Sequence, residues 1–284
     1  MRMALVIVVA ASAMVGMAAG SVLAETAFER AQRTGEVFVG FANEAPYAYA
    51  TPDGRLTGEA VEVARAVLKR LGIEQMHGVL TEFGSLIPGL IAGRFDIITA
   101  GMFITPERCQ QVAFANPEYS IGGGLGVRSG NPLDLHSYED IAANPKARVA
   151  VMAGAVEHGY LLSSGVSPSQ IVIVPDQPSA VAALQAGRVD AITMTGPALQ
   201  AVLDAAGDPN LERVQDFEDT VIDGRPTRGY GAAAFRKEDD DFRQAFNREL
   251  EALKASGELL DILSEFGFTA QELPGDMTAE ELCR

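Results

Sequence analysis

The sequence predicts an α/β protein built as two Rossmann-like lobes joined by a two-segment hinge, and three observations lead there. First, Leu86–Arg108 reads as an apolar helix stopped by Gly93, a short buried strand over Phe95–Ala100, and a turn that carries Phe103 and Arg108 to the strand's C-terminal edge. In open α/β sheets that edge is where ligands sit. Second, the pattern returns about ninety residues later in Ala180–Leu199. Both copies share Ala-Gly-Arg-x-Asp, a hydrophobic strand, and then a glycine, Gly101 or Gly196. One copy is a common αβ unit, whereas two suggest two similar lobes facing each other. Third, the glycine-rich run Ile121–Val127 and the later segment Gly229–Phe235 read as strands that cross between lobes.

The remaining elements follow in chain order. Arg2, the small apolar run Met3–Gly20 and Val22-Leu23-Ala24 form a signal peptide, with cleavage expected after Ala24. A retained membrane anchor is the competing reading, disfavoured by the Ala/Gly-rich composition. Val37, Val39 and Phe41 alternate in a first strand, Glu36–Phe41, followed by the loop Asn43–Tyr47. Glu59–Leu71 is an amphipathic helix, with Ala60, Val63, Ala64, Val67, Leu68 and Leu71 on one face and Glu59, Glu62, Arg65 and Lys69 on the other. A strand near Met76–Leu80 leads into Thr81–Gly84. Then come the first copy of the repeat and the crossing. The second lobe holds a short helix at Tyr138–Ile141, the strand Arg148–Met152, the loop Ala153–Glu157, a strand at Ile171–Val174, the helix Gln177–Ala186 and the strand Val189–Thr193. After the return, Asp239 or a neighbour caps a long amphipathic helix, and a further helix runs over Gly257–Phe266. The expected division is residues 25–125 plus 230–284 for lobe one and 126–229 for lobe two.

The 284-residue chain carries a formal charge of −16, which becomes −17 once Arg2 leaves with the leader. Such acidity argues against nucleic acid as a partner and suits a soluble exported protein. The two cysteines, Cys109 and Cys283, suggest one disulfide in an exported chain. The alternative is two independent thiols. Three scattered histidines (His77, His136, His158) and two cysteines make a structural metal site improbable, and no cofactor motif appears.

The strand-end loops should converge on a cleft, the default ligand site. Arg108, after Pro106, can clamp a carboxylate by two parallel hydrogen bonds, or it can be a surface arginine paired with Glu107 or Glu82. Tyr47, Phe83 and Phe103 lie on three separate loops. They can cage a delocalised cation or simply pack in the core. Glu44 can accept N–H bonds from a cationic ligand. The backbone of Gly154-Ala155-Val156, ahead of a helix, can hold a carboxylate. No Ser or Cys stands in a nucleophile motif, so enzyme activity is not expected.

These residues and their settings resemble solute-binding protein family 3, the periplasmic receptors of ABC importers for polar amino acids and related solutes. The segments IPGLIAGRFDIITAGMFITPER, LQAGRVDAI and YGAAAFRKEDDDFRQAFNRELEALKASGELLDIL carry the resemblance. ANEAPY, EFGSLIPGLIAGRFDIITAGMF, TPERC and a cysteine near the C-terminus are more similar still to the ectoine- and hydroxyectoine-binding members. The resemblance implies a type II periplasmic-binding-protein fold, working as a monomer with a membrane permease. It implies that Arg108 takes the carboxylate of a small zwitterion, Glu44 its ring N–H, and Tyr47, Phe83 and Phe103 its amidinium ring. Gly101 would sit beside them, with Gly154, Val156, Glu157, Thr195 and Gly196 completing the site from lobe two. Two departures stand out. Thr195 replaces the aspartate that usually meets an α-ammonium, and Val156 stands where threonine is common. A polar amino acid, or dehydratase activity of the cyclohexadienyl type with Glu44 or Glu157 as acid, are the alternatives.

Overall fold

The computed structural model describes residues 25–222 and 225–284. The expected leader over residues 1–24, with its cleavage point, lies outside them.

The repeat in the sequence seeds two sheets of the same design. In each copy a helix stops at a glycine of positive φ, Gly93 (69°) or Gly187 (66°). The motif aspartate then ties the strand that follows it to its parallel neighbour in the sheet. Asp96 Oδ2 accepts from Phe38 N at 3.2 Å while Asp96 N donates to Phe38 O at 2.8 Å. Asp190 Oδ2 accepts from Arg148 N at 3.0 Å while Asp190 N donates to Arg148 O at 2.7 Å. Strand order in lobe one is Gln75–Leu80, Glu36–Phe41, Ile97–Ile98, Ala234–Phe235, Ala113–Phe114. In lobe two it is Ile171–Val174, Val149–Met152, Ala191–Thr195, Gly123–Arg128, Leu211–Arg213. The first three strands of each sheet run parallel. The fourth is antiparallel to both neighbours. That fourth strand is in each case the one the chain reaches just after crossing. The crossings themselves, Tyr119–Ile121 and Gly229–Gly231, pair antiparallel and form the hinge. This is the type II periplasmic-binding-protein fold.

The helix Asp240–Ser256 buries Phe242, Ala245, Phe246, Leu250 and Leu253 in lobe one, as its periodicity predicts. Asp239 is its N-cap residue but makes no capping bond, because its carboxylate is held by Arg236 at 2.7 Å. Glu59 also departs from expectation. It lies fully buried rather than on the polar face of the helix Glu59–Arg70. The reason is that the first turn is pinned inward, with Glu59 N donating to Pro46 O and Ala60 N to Tyr47 O. The cysteines are joined as Cys109–Cys283, with Cα atoms 5.7 Å apart. The bridge fastens the short C-terminal helix Ala279–Leu282 to the turn carrying Arg108. Among the described residues no helix is long and apolar enough to cross a membrane.

Candidate functional site

The C-terminal strand ends of the two sheets face each other, and direct contacts close the cleft between them. Tyr47 Oη donates to Thr195 Oγ1 at 2.7 Å. Arg108 Nη2 donates to Gly154 O at 2.8 Å. Gln177 Nε2 donates to Glu44 Oε1. The backbones of Gly84 and Gly154 meet so closely that a Cβ on Gly154 would stand 2.8 Å from Gly84 Cα. The cavity left inside is lined by Glu44, Tyr47, Phe83, Gly101, Phe103 and Arg108 from lobe one. Lobe two contributes Met152, Ala155, Val156, Glu157, Gln177, Ala180, Thr193, Met194 and Thr195.

Each lobe-one group is set by its own loop. Glu44 is locked by a two-way backbone bridge to Ala48, with N···O distances of 2.7 and 2.9 Å. Arg108 sits in a helical turn capped by Thr105, whose hydroxyl accepts from Arg108 N. Its guanidinium lies 5.6 Å from the Phe83 ring centre and also donates to Phe103 O at 2.6 Å. Thus Arg108 spans both lobes and stacks on an aromatic, and neither Glu107 nor Glu82 is its partner. Gly101 has φ 61°, and a Cβ there would meet the Tyr47 ring at 2.6 Å. A glycine at this point allows both the turn and the close aromatic approach.

The aromatics divide between wall and core. Tyr47 stacks on Tyr119 with ring centres 5.4 Å apart, and Phe103 meets Tyr119 edge-on at 6.3 Å. Tyr119, on the hinge, in turn donates to Gly101 O. It therefore backs two cavity walls, a role that nothing in its local sequence signals. In lobe two the amide cradle expected at Gly154–Val156 is partly committed. Ala155 N bonds Met152 O at 3.1 Å. Gly154 contributes its carbonyl to Arg108. Gly196 stands behind the lining, its amide donating to Gly122 O.

Charge in this enclosure is unbalanced. Burial, with repulsion from Glu157 and against attraction from Arg108, pushes the Glu44 carboxyl up to about 8. Burial raises Glu157 as well, opposed by its own amide and by Arg108. Burial lowers the proton affinity of Arg108, with Glu157 opposing. Glu44 Oε2 is shut from solvent and has no hydrogen-bond partner among the described residues. Two acids, one arginine and an aromatic wall therefore suit a small molecule carrying both a carboxylate and a cationic N–H. Gln177, Met152, Ala180, Thr193 and Met194 were not anticipated. Gln177 opens a helix after Asp176, which caps it through Ser179 N at 2.8 Å. A cap followed by a polar first residue at a strand end was the available signal.

Two lobes closed over an internal cavity, with a hinge of two crossing strands, define a receptor that holds a small solute by closing on it. The chain belongs to the bacterial extracellular solute-binding proteins, family 3, which it matches over residues 37–269. It is 38% identical over 259 residues to a probable amino-acid ABC transporter periplasmic-binding protein of Sinorhizobium fredii, covering 90% of this chain and 85% of that one. The crystal structure of EhuB in complex with hydroxyectoine is similar with a TM-score of 0.82 and 37% identity, over 92% of this chain and 98% of that chain. The ancestral amino acid-binding protein AncCDT-1, a precursor of cyclohexadienyl dehydratase, is similar with a TM-score of 0.73 and 25% identity, over 85% and 99%.

Proposed function

We propose that this chain is the periplasmic receptor of an ABC importer and captures ectoine or hydroxyectoine by lobe closure. The observation that carries the reading is one inter-lobe cavity bringing together Arg108, the acid Glu44 with a free oxygen, and the rings of Tyr47, Phe83 and Phe103. In this reading Arg108 releases Gly154 O and clamps the carboxylate, Glu44 accepts a ring N–H, and the aromatics face the amidinium. Val156, Glu157 and Thr195 close the site from lobe two, with Gly101, Gly154 and Gly196 shaping its backbone. Thr195 is committed to Tyr47 and offers no charge to an α-ammonium, which favours an amine locked in a ring over an ordinary amino acid. The likeness to EhuB with hydroxyectoine supports the same ligand class. The two lobes would move as the two bodies about the crossings, with the strand Gly123–Arg128 going whole with lobe two rather than being divided at the expected 125/126 boundary, and the leader would be cleaved after Ala24. The mature monomer would deliver its solute to a permease without catalysing a reaction.

Calorimetric titration tests this with ectoine, hydroxyectoine, glycine betaine and neutral, acidic and basic amino acids. Saturable binding of ectoine or hydroxyectoine is expected. Binding confined to amino acids overturns the ligand assignment. A second reading has its own observation: Glu44 and Glu157 are buried acids whose hold on the proton burial strengthens, and either is a candidate for the general acid a dehydratase needs. Turnover of prephenate or arogenate would establish it.

A further inference from the structure

Glu44 and Gln177 belong to opposite lobes, and the bond between them exists only when the lobes are together. Glu44 is fixed at its backbone by the bridge to Ala48, but no group of its own lobe holds its carboxylate among the described residues. Gln177 is buried at the first position of the helix Gln177–Gln185, whose start is anchored by the Asp176 cap. The amide nitrogen of Gln177 is the end that faces Glu44, and once Glu44 is ionised its carboxylate can only accept. With Oε1 taken by Gln177, Oε2 remains as the one free acceptor, buried at the cavity.

We propose that Gln177 is the positioning and specificity-determining residue that aims Glu44: on closure it holds Oε1 from lobe two, so that Oε2 is presented to a cationic N–H of the solute. The inference rests on the reading of the site as one for a zwitterion with a cationic N–H. Two consequences follow. A solute lacking an N–H cannot satisfy Oε2 and leaves a buried acceptor unpaired, which selects against quaternary ammonium compounds. In addition, a donor on Oε1 favours the ionised carboxylate against the burial that opposes it. Arg108 works in the same direction, whereas Glu157, and Tyr47 only if ionised, work against it. These are the ionisable groups that share the cavity with Glu44.

The test is ectoine titration by calorimetry from pH 5.5 to 9 on the full mature chain, the Gln177→Met variant and the Gln177→Asn variant, each checked for folding by thermal melting. Methionine keeps the length without the donor, and asparagine keeps the amide but falls short of Glu44. Both variants should lose ectoine affinity about tenfold or more at neutral pH. In both, the rise of affinity with pH should move to higher pH, because Glu44 holds its proton longer without Gln177. A merely structural glutamine would lower affinity by the same factor at every pH, or only in Gln177→Met. Either of those results, or unchanged binding, overturns the inference and leaves the receptor reading intact. Absence of ectoine binding by the unaltered protein overturns both.

Discussion

The two copies of Ala-Gly-Arg-x-Asp do the same structural work and then diverge. In both, the aspartate locks the strand that follows it to its parallel neighbour through one accepted and one donated backbone bond. After the strand, lobe one turns through Gly101 and Phe103 to Arg108, while lobe two enters a helix at once through Thr195 and Gly196. Lobe one thus supplies the guanidinium, the aromatic wall and Glu44. Lobe two supplies uncharged side chains from alanine to methionine, backbone, Glu157 and Gln177. A duplicated scaffold carries an asymmetric site because the loops past the strand ends are free to differ while the strand anchors are not.

The largest effect should appear where that asymmetry is greatest. Arg108→Ala removes a half-buried charge-assisted donor pair that the bound solute would cover, a loss of about 2–5 kcal/mol, or about 30- to 5,000-fold in ectoine affinity. Thr195→Ala removes one neutral hydrogen bond to Tyr47, about 1 kcal/mol. Calorimetry on the two variants side by side should place them at least about fivefold apart. Equal losses would mean that lobe two contributes as much binding as lobe one.

The scaffolds can be separated in the same way through stability. Asp96 is buried between Arg30 and Arg236, with its side chain only 7% exposed. Asp190 pairs with Arg128 alone and is 23% exposed. Asp96→Ala should therefore cost about 3–5 kcal/mol in urea unfolding by stranding buried charge. Asp190→Ala should cost about 1–2 kcal/mol. Similar costs would show that the second arginine on Asp96 contributes little.

The lobes also differ in buried acids. Glu44, Glu59 and Glu118 all belong to lobe one, and burial raises each above the ordinary carboxylate range, Glu44 and Glu118 to about 8. All four oxygens of Glu59 and Glu118 lack a hydrogen-bond partner among the described residues. A folded state that keeps protons the unfolded chain has released loses stability as pH rises. Ligand-free stability should therefore fall between about pH 4.5 and 8, and Glu59→Gln should flatten that slope. A stability that climbs over this window would place these acids in the ionised state.

Much of the scaffold was legible because periodicity and glycine stops report local geometry. Gly93, Gly187 and the apolar face of Asp240–Ser256 are examples. The loops bearing Glu44, Phe83 and Arg108 could be placed at strand ends for the same reason. Burial of a polar side chain by a partner distant in sequence leaves no such trace. Glu59 keeps helical polarity in sequence yet is buried by the Pro46–Tyr47 loop. Asp239 looks like a cap yet serves Arg236. Tyr119 gains its place from lobe-one loops distant in sequence, and Gln177 gains its place only when closure brings the lobes together.

The smallest predicted effect asks whether lobe two can be given what lobe one has. Val156 lines the cavity and precedes the helix Glu157–Ser163 without a side-chain cap. A threonine there adds a hydroxyl at nearly constant volume. Its backbone, φ −69° and ψ −25°, is helical rather than extended, so the hydroxyl is badly placed to cap its own helix. The remaining direction is the cavity, where the carboxylate clamped by Arg108 would lie. Val156→Thr should then tighten ectoine binding about two- to tenfold, the net worth of one added side-chain hydrogen bond, with the melting temperature unchanged. If stability rises instead and affinity stays put, the hydroxyl has turned to the backbone after all, and the weakness of lobe two lies in its helix start rather than in the loss of one hydroxyl.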